Sequence, residues 1–584
     1  MTRHKNRFMD NKEKQFPLMK ISFQLTVIMF TFSFNLFAFQ QEDELLKILK
    51  GELKRQYEVY SEREDPAYYM AFNVSDNYTI SITSNFGSLE GTEISRIRAL
   101  NASVRVGDYH FDNTHSEETD DFNSYSGAYN QLLPVDNVPL AIRQQIWLVT
   151  DKAYKDASTD YVLKSNRKKK LPEGLPDFTR EESCHYYDAP QWDQAKNIDI
   201  QHWESLLKRL SEKFGGYEPF ILGGVNFSFD LNRKYFVSSE GTTIVQNQVH
   251  TQMHILGTVK TKEGYNQPYY KSFFSEWPSG LPDEEVLESA VCEVVSSMEL
   301  LANAPAASPY SGPAIFSANA AGVFFHEIFG HRIEGHRLAQ HSDAQTFMSK
   351  MDAPILPDYF TIISDPLKEE FAGKRLSGYF KFDDEGVKAS TVKIVENGIL
   401  KNFLMSRKPI EGFPRSNGHG RAQTGMVPVS RQSNLLVSTT KPMEVDKLRK
   451  KLISLCKKQK KDYGFFIDKV VGGYTLTNRY QPNVFNVIPF EVYKIFTDGR
   501  PDELVTGVTF IGTPLTVFSE IVGTGDDYEV FNGVCGAESG GVYVSAVAPT
   551  LLVNKIETQL MPSTELTFPT LKDPVKLPSK NPCD

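Results

Sequence analysis

The chain has few cysteines, no excess of positive charge and no second long apolar run. Five cysteines among 584 residues are too few for a disulfide-stapled fold. The formal net charge of -9 gives a surface that repels phosphate backbones, so we expect no nucleic acid partner. A mean hydropathy of -0.36 excludes a protein with many membrane spans.

What remains is the composition of a globular protein. Apolar residues make up 40% and aromatic residues 12%, which excludes a disordered, collagenous or coiled-coil chain. A chain of 584 residues exceeds one ordinary core, so the length predicts two main domains or three.

The N-terminus has the pattern of a secretory signal. Basic residues precede the apolar run Ile21–Phe39, and the polar sequence QQEDE follows it. We predict a signal peptide over residues 1–40, cleaved near Ala38–Gln41, and an exported protein, periplasmic or secreted, with no stable membrane insertion after cleavage. The alternative is a retained anchor helix, because the run could just cross a bilayer core of about 30 Å. Polar residues dilute the run and favour the signal peptide.

Residues 41–303 are predicted to form an α/β N-terminal domain with an antiparallel sheet. Apolar residues at helical spacing predict helices over 42–63, 139–156, 202–214 and 283–301. A basic stretch, 164–170, is expected to be a solvated loop. Alternating apolar residues predict strands over 67–111 and 219–274.

The Pro- and Ala-rich segment 304–313 marks the predicted domain boundary. Residues 304–584 should then form a mostly antiparallel β C-terminal domain with one helical segment from 317 to about 341. Hairpins are predicted at Asn397-Gly398 and Asp498-Gly499, and a helix over 446–462. The predicted fold class is therefore α+β with two domains.

The strongest chemical signal is the motif H-E-x-x-x-H at His326, Glu327 and His331. On an ideal helix five residues turn about 500°, which leaves the two His side chains about 140° apart. Both can reach one metal ion only if the helix widens or breaks between them, and Gly330 fits such a distortion. Glu327 could then stand beside the metal as a general base. The alternative is an amphipathic helix with a His-rich polar face.

A catalytic zinc site needs three protein ligands and one open position. Glu334, His336 and His341 are nearby candidates for the third ligand, and Cys535 in a Gly-rich segment is a distant one.

Other polar residues in the sequence have less specific interpretations. His250 and His254 share one strand face, where we expect surface residues rather than a metal site. His419 and Arg421 are candidates for stabilising an oxyanion or a substrate carboxylate, although solvated loop residues are the expected outcome.

The segment YSGPAIFSANAAGVFFHEIFGHRIEG resembles the metal-site segment of the TldD/PmbA family of zinc metallopeptidases. The similarity continues through 382–407 and 418–437 to the Cys-Gly motif and APTLLV within 533–553. The resemblance implies that His326, His331 and Cys535 bind Zn²⁺ and that Glu327 is catalytic. The segment around Cys535 is looser than the family form, and the chain adds an apparent export signal.

The family resemblance also implies a function. It indicates a zinc-dependent peptidase that hydrolyses peptides or unfolded segments by metal-activated water, assembled as a homodimer or as a heterodimer with a paralogous subunit. Its α/β N-terminal domain and antiparallel β C-terminal domain agree with the fold class predicted above.

Two alternative functions remain open at this point. One is a non-catalytic, peptide-binding maturation partner with a structural metal. The other is a zinc amidase that acts on a non-protein amide, such as a peptidoglycan cross-link.

Overall fold

Long strands with alternating apolar residues build the first half of the chain. The computed structural model describes residues 43–115, 128–167, 174–215, 220–262, 264, 266–338, 346–475, 477 and 485–560. The predicted signal peptide, residues 1–40, lies outside this part. Within the described residues, no helix is both long and apolar enough to cross a membrane.

Seven strands form the first sheet. They are β1 (Ala67–Asn85), β2 (Ser88–Val106), β3 (Ala128–Leu133), β4 (His185–Tyr187), β5 (Phe220–Ser238), β6 (Thr243–Lys260) and β7 (Asn266–Ser275). The order is β3-β2-β1-β5-β6-β4, and β7 also pairs with β6. All pairs are antiparallel except β4 with β6, which confirms the predicted antiparallel sheet.

The described residues of this half include five helices. They are α1 (Glu44–Tyr60), α2 (Pro139–Arg167), α3 (Trp192–Lys196), α4 (Ile200–Glu212) and α5 (Glu284–Asn303). The apolar faces of α4 and α5 share one core with β5 and β6. Helix α2 runs to Arg167, so the predicted loop from residue 164 begins too early.

The second half contains an eleven-stranded mixed sheet. Its strands are β8 (Ser311–Phe316), β9 (Phe360–Ser364), β12 (Val392–Glu396), β13 (Ile399–Leu400), β16 (Asn434–Thr439), β17 (Tyr463–Thr475), β18 (Phe485–Phe496), β19 (Glu503–Val505), β20 (Val508–Gly512), β21 (Ile521–Ala537) and β22 (Gly540–Leu560). Only β16 with β22 and β8 with β17 are parallel pairs, so the sheet is mostly antiparallel, as predicted.

Short hairpins and helices complete this half. The pairs β10 (Glu370–Phe371) with β11 (Lys374–Arg375) and β14 (Gly420–Arg421) with β15 (Val429–Ser430) are separate two-stranded ribbons. The helices are α6 (Ala318–Ile328), α7 (Gly335–Leu338), α8 (Val445–Lys458) and α9 (Pro514–Ser519). Three-residue 3₁₀ turns lie at Pro278–Gly280, Gly330–Arg332 and Met348–Lys350.

Both predicted hairpins form. Asn397 and Gly398 have φ values of 49° and 77°, as a type I′ turn between β12 and β13 requires. The Asp498-Gly499 turn joins β18 to β19 through a longer loop.

Helix α6 lies in the core of the second half. Strand β8 pairs with both β17 and β22, so five strands close into a ring. Phe324, Phe325 and Ile328 of α6 are fully buried among the apolar side chains of these strands. At Gly322 an added Cβ would lie 3.1 Å from the Ala546 carbonyl oxygen, so β22 passes directly over the helix. Both sheets belong to one compact unit that begins at Ile48, and the division into domains at residue 304 stays a prediction.

Candidate metal centre

Helix α6 carries the first two residues of the motif in its last turn. The Ser317 hydroxyl caps its start by accepting a hydrogen bond from the Ala320 amide. The helix is apolar on almost every face and is buried accordingly. His326 and Glu327 are polar residues at the buried end of this helix.

The helix ends at Ile328, not near residue 341 as predicted. Phe329 is its C-cap, and the 3₁₀ turn Gly330–Arg332 follows. The Arg332 guanidinium donates hydrogen bonds to the carbonyl oxygens of Glu327 and Ile328, at 2.9 and 3.1 Å, and so satisfies groups that a continuing helix would have bonded. This break in the helix brings the His331 side chain to the same side as that of His326. An unbroken helix would not do so, because residues five positions apart point in different directions.

Gly330 is needed for the close packing at this break. A Cβ there would lie 1.8 Å from Oε1 of Gln432, whose side chain is buried. The Gln432 amide in turn donates to the His326 carbonyl oxygen at 3.4 Å. Any larger residue at 330 would displace Gln432 and the turn.

His326, His331 and Cys535 meet at one point. Their candidate ligand atoms all lie within 4.8 Å of one another, and all three residues are buried. Cys535 comes from β21, 204 residues further along the chain than His331, and its Sγ lies 3.3 Å from His331 Nε2. The chain folds so that both parts of the predicted ligand set share one site.

Glu334 orients His331 instead of adding a ligand to the group. Its Oε2 accepts a hydrogen bond from His331 Nδ1 at 3.2 Å, which leaves Nε2 facing Cys535. This arrangement fixes the tautomer that binds a metal through Nε2. His336 bonds Glu538 and stands outside the three-residue group. His341 lies outside the described residues.

The electrostatics of the three residues favour a thiolate. Burial raises the pKa of the Cys535 thiol, but the positive charges of His331 and His326 outweigh it and lower this pKa well below its usual value. Burial lowers the pKa of His331, whereas the Cys535 thiolate and Glu334 raise it to about 10. A metal cation that replaced the imidazole protons would therefore find the Cys535 sulfur already deprotonated and able to bind it.

Glu327 faces a large cavity beside these three residues. The cavity has a volume of about 1550 Å³ and is lined by His326, Glu327, His331 and Cys535, together with parts of β7, β17 and β21. Burial raises the pKa of the Glu327 carboxyl, while the neighbouring His326 and His331 lower it. The Glu327 Oε2 lies 4.0 Å from His331 Nε2. The carboxylate thus lies next to the ligand group and opens towards the cavity.

Four other residues correct the sequence predictions or extend them. His419 and Arg421 are buried rather than solvated, and neither lines this cavity. His250 is also buried and stacks on Tyr543, with ring centroids 3.7 Å apart, so the expected surface position is wrong. His254 lines the cavity and bonds Gln252 and Ser272.

Sequence reasoning missed two residues next to the ligands, Arg431 and Gln432. Both lie in VSRQSN, inside a segment that carries the family resemblance, and this position was their only signal. Nothing local indicates that they contact residues about 100 positions away.

Comparison with known proteins identifies relatives of this chain. The profile of the PmbA/TldA metallopeptidase C-terminal domain matches residues 309–559. A metalloprotease of Archaeoglobus fulgidus is 29% identical over 202 residues, which cover 34% of this chain and 44% of that protein. A zinc metalloprotease TldD homolog of Saccharolobus solfataricus is 24% identical over 372 residues, covering 62% of this chain and 77% of that protein.

A solved structure shares the fold. TldE from Thermococcus kodakarensis aligns with a TM-score of 0.58 at 13% identity, over 88% of this chain and 99% of that chain. By sequence, the chain spans less than half the length of the Archaeoglobus relative that it matches. The solved structure shows the shared fold, and the profile match and the related sequences show that residues 309–559 form a C-terminal domain of the TldD/PmbA family.

Proposed function

We propose that this chain is a zinc-dependent peptidase that hydrolyses peptides or unfolded segments, with Glu327 as the general base. The observation that carries the proposal is the meeting of His326, His331 and Cys535 at the edge of a large cavity that Glu327 also faces. The names of the related metalloproteases support it.

The donor set fits zinc. Two imidazoles and one thiolate are ligands that this ion prefers, and three protein ligands leave one position open. The hydrogen bond from His331 Nδ1 to Glu334 supplies the outer support that metal-bound imidazoles usually have. Zinc held by His326, His331 and Cys535 would supply Lewis acidity, which polarises a carbonyl and makes water more acidic.

A residue of the chain itself would transfer the proton of the attacking water. The Glu327 carboxylate takes a proton from the attacking water and passes it to the leaving amine. The cavity walls hold the peptide against this edge. A volume of about 1550 Å³ exceeds the roughly 300–1,000 Å³ of small-molecule sites, so a peptide segment fits.

The test is cleavage of a pool of unstructured peptides by the wild type and by Glu327→Gln. We expect Glu327→Gln to keep its bound zinc and to lose activity by about 10²–10⁴-fold, the usual contribution of a general base. Glu370→Gln is the matched control, because Glu370 is an exposed carboxylate that lines the same cavity. Zinc content is measured for all three proteins.

Other outcomes would favour the alternatives. If Glu327→Gln cleaves as well as the wild type, Glu327 is not the general base. If the zinc-loaded wild type cleaves no peptide, a non-catalytic maturation partner or an amidase for a non-protein amide becomes the better account, and a panel of cross-linked amides separates these two.

We also propose that the chain works as a homodimer or with a paralogous subunit, and that it is exported with loss of residues 1–40. Light scattering of the purified chain, alone and with paralogues, tests the assembly. N-terminal sequencing of the protein recovered outside the cytoplasm tests the export, and an intact Ile21–Phe39 run there would contradict it.

A further inference from the structure

Arg431 is a buried residue that contacts both parts of the candidate centre. It lies between β15 and β16, and its side chain has no exposed surface. Its Nη2 donates to the Cys535 carbonyl oxygen at 2.6 Å. Its Nη1 donates to the Ser539 hydroxyl at 2.8 Å and to the Gly540 carbonyl oxygen at 2.9 Å. One guanidinium therefore holds the whole end of the β21–β22 hairpin.

The same guanidinium also faces the residue that orients His331. Its Nε lies 3.6 Å from Oε1 of Glu334, and the other oxygen of this carboxylate accepts hydrogen bonds from His331 Nδ1 and from Arg337 Nε, at 3.2 and 2.8 Å. Arg431 thus contacts both the backbone of Cys535 and the carboxylate that bonds His331.

This position matters because no local structure sets the distance from Cys535 to His331. The two residues are 204 positions apart, and β21 pairs only with β22 among the described strands. A metal centre needs its ligands held within a few tenths of an ångström. The planar guanidinium of Arg carries several N–H donors and can hold two groups at once, which the flexible ammonium of Lys cannot do.

We propose that Arg431 is a positioning residue that, together with Glu334, holds the Cys535 thiolate and the His331 imidazole at metal-binding distance. A buried ion pair adds little to the stability of a fold. The location of the Arg431–Glu334 pair between two candidate ligands therefore indicates a positioning role rather than a stabilising one. The inference rests on the metal centre proposed above, and its test measures metal binding directly, without peptide cleavage.

The experiment is a cobalt(II) titration of the metal-free full chain. Absorption from thiolate-to-cobalt charge transfer reports whether Cys535 is bound, and competition with a chelator gives the affinity. Thermal melting checks folding. The variants are Arg431→Lys, Glu334→Gln and the milder Ser539→Ala, with Arg407→Lys as the control. Arg407 is equally buried but bonds Thr179 and Glu240.

We expect Arg431→Lys to bind cobalt about 10–100-fold more weakly and with less charge-transfer absorption per bound ion, because Cys535 is no longer held in place. Glu334→Gln should weaken binding by a similar factor but keep the charge-transfer band, since Arg431 still holds Cys535. Ser539→Ala should weaken binding less. Arg407→Lys should bind as the wild type does, even if it melts at a lower temperature.

Two results would overturn the inference alone. One is a folded Arg431→Lys with wild-type affinity and spectrum. The second result concerns the case in which Arg431→Lys does not fold. In that case, wild-type cobalt affinity and spectrum in both Glu334→Gln and Ser539→Ala would overturn the inference. A wild-type chain that binds no cobalt would overturn the proposed metal centre itself, and this inference with it.

Discussion

At the scale of single residues, burial gives several histidines of this chain properties that their sequence neighbours do not reveal. His419 has no exposed surface, and its Nε2 lies 3.0 Å from the Ser364 hydroxyl. Burial and the nearby Arg421 cation lower the pKa of His419 to about 3, against the opposing effect of a hydrogen bond to the Asn417 carbonyl oxygen. His419 is therefore neutral in the folded protein at pH values where an unfolded His is charged.

This neutrality predicts a pH dependence of stability. Between pH 6.5 and about 3 the unfolded state binds a proton at His419 that the folded state does not, so the free energy of unfolding decreases as the pH falls. In the metal-free protein, His419→Gln should reduce this slope by about 1.4 kcal/mol per pH unit near pH 5. Denaturant titrations at several pH values measure it.

The control for this pH prediction is the exposed His202 of α4. His202→Gln is measured under the same conditions, so that the general effect of replacing a His by Gln is known. An unchanged slope in His419→Gln would show that His419 is protonated in the folded state or does not contribute.

At the scale of elements, the end of α6 decides whether the motif can form a site. The helix stops at Ile328, and Gly330 lets the following turn pack against the buried Gln432. A helix that continued to residue 341 would keep His326 and His331 about 140° apart. The broken helix is thus a requirement of the ligand geometry.

Gly330→Ala should destabilise this turn. The new Cβ would overlap Gln432, and the resulting strain should lower the free energy of unfolding by about 1–3 kcal/mol and weaken zinc binding. Thermal melting and chelator competition measure both effects. Gly51→Ala is the control, because a Cβ at Gly51 of α1 meets no atom within 4 Å.

A second substitution tests whether overlap with the Gln432 side chain causes the loss of zinc affinity in Gly330→Ala. Replacing Gln432 by Ala in the Gly330→Ala background should restore part of the zinc affinity. If the double variant binds no better than Gly330→Ala alone, overlap with Gln432 is not the reason for the loss.

At the scale of the whole molecule, the size of the cavity leads to a prediction about the folding state of the proposed substrate. It is bounded by β7 of the first sheet and by β17 and β21 of the second, and Glu327 lies at its wall. A cavity of about 1550 Å³ has room for a peptide segment, whereas a folded domain is larger than this volume.

We therefore expect a small disulfide-bonded protein to resist cleavage when it is oxidised and folded, and to be cleaved once it is reduced and unfolded. Mass spectrometry of the products over time measures this. Equal cleavage of both forms would show that folded surfaces reach Glu327 and would contradict this prediction.

The sequence by itself determined the fold class, the two sheets and the hairpin at Asn397-Gly398, because periodicity and turn signals are local properties. The spacing of its motif indicated His326, Glu327 and His331 as candidate site residues. Cys535 followed from family resemblance. Only the tertiary structure decided where α6 ends, that His419 and Arg421 are buried, and that Arg431 and Glu334 stand behind the ligands. The contacts of Arg431 with Cys535 and of Gln432 with His326 join segments about 100 residues apart. Their distances depend on how the strands pack around α6 and not on any pattern within one segment.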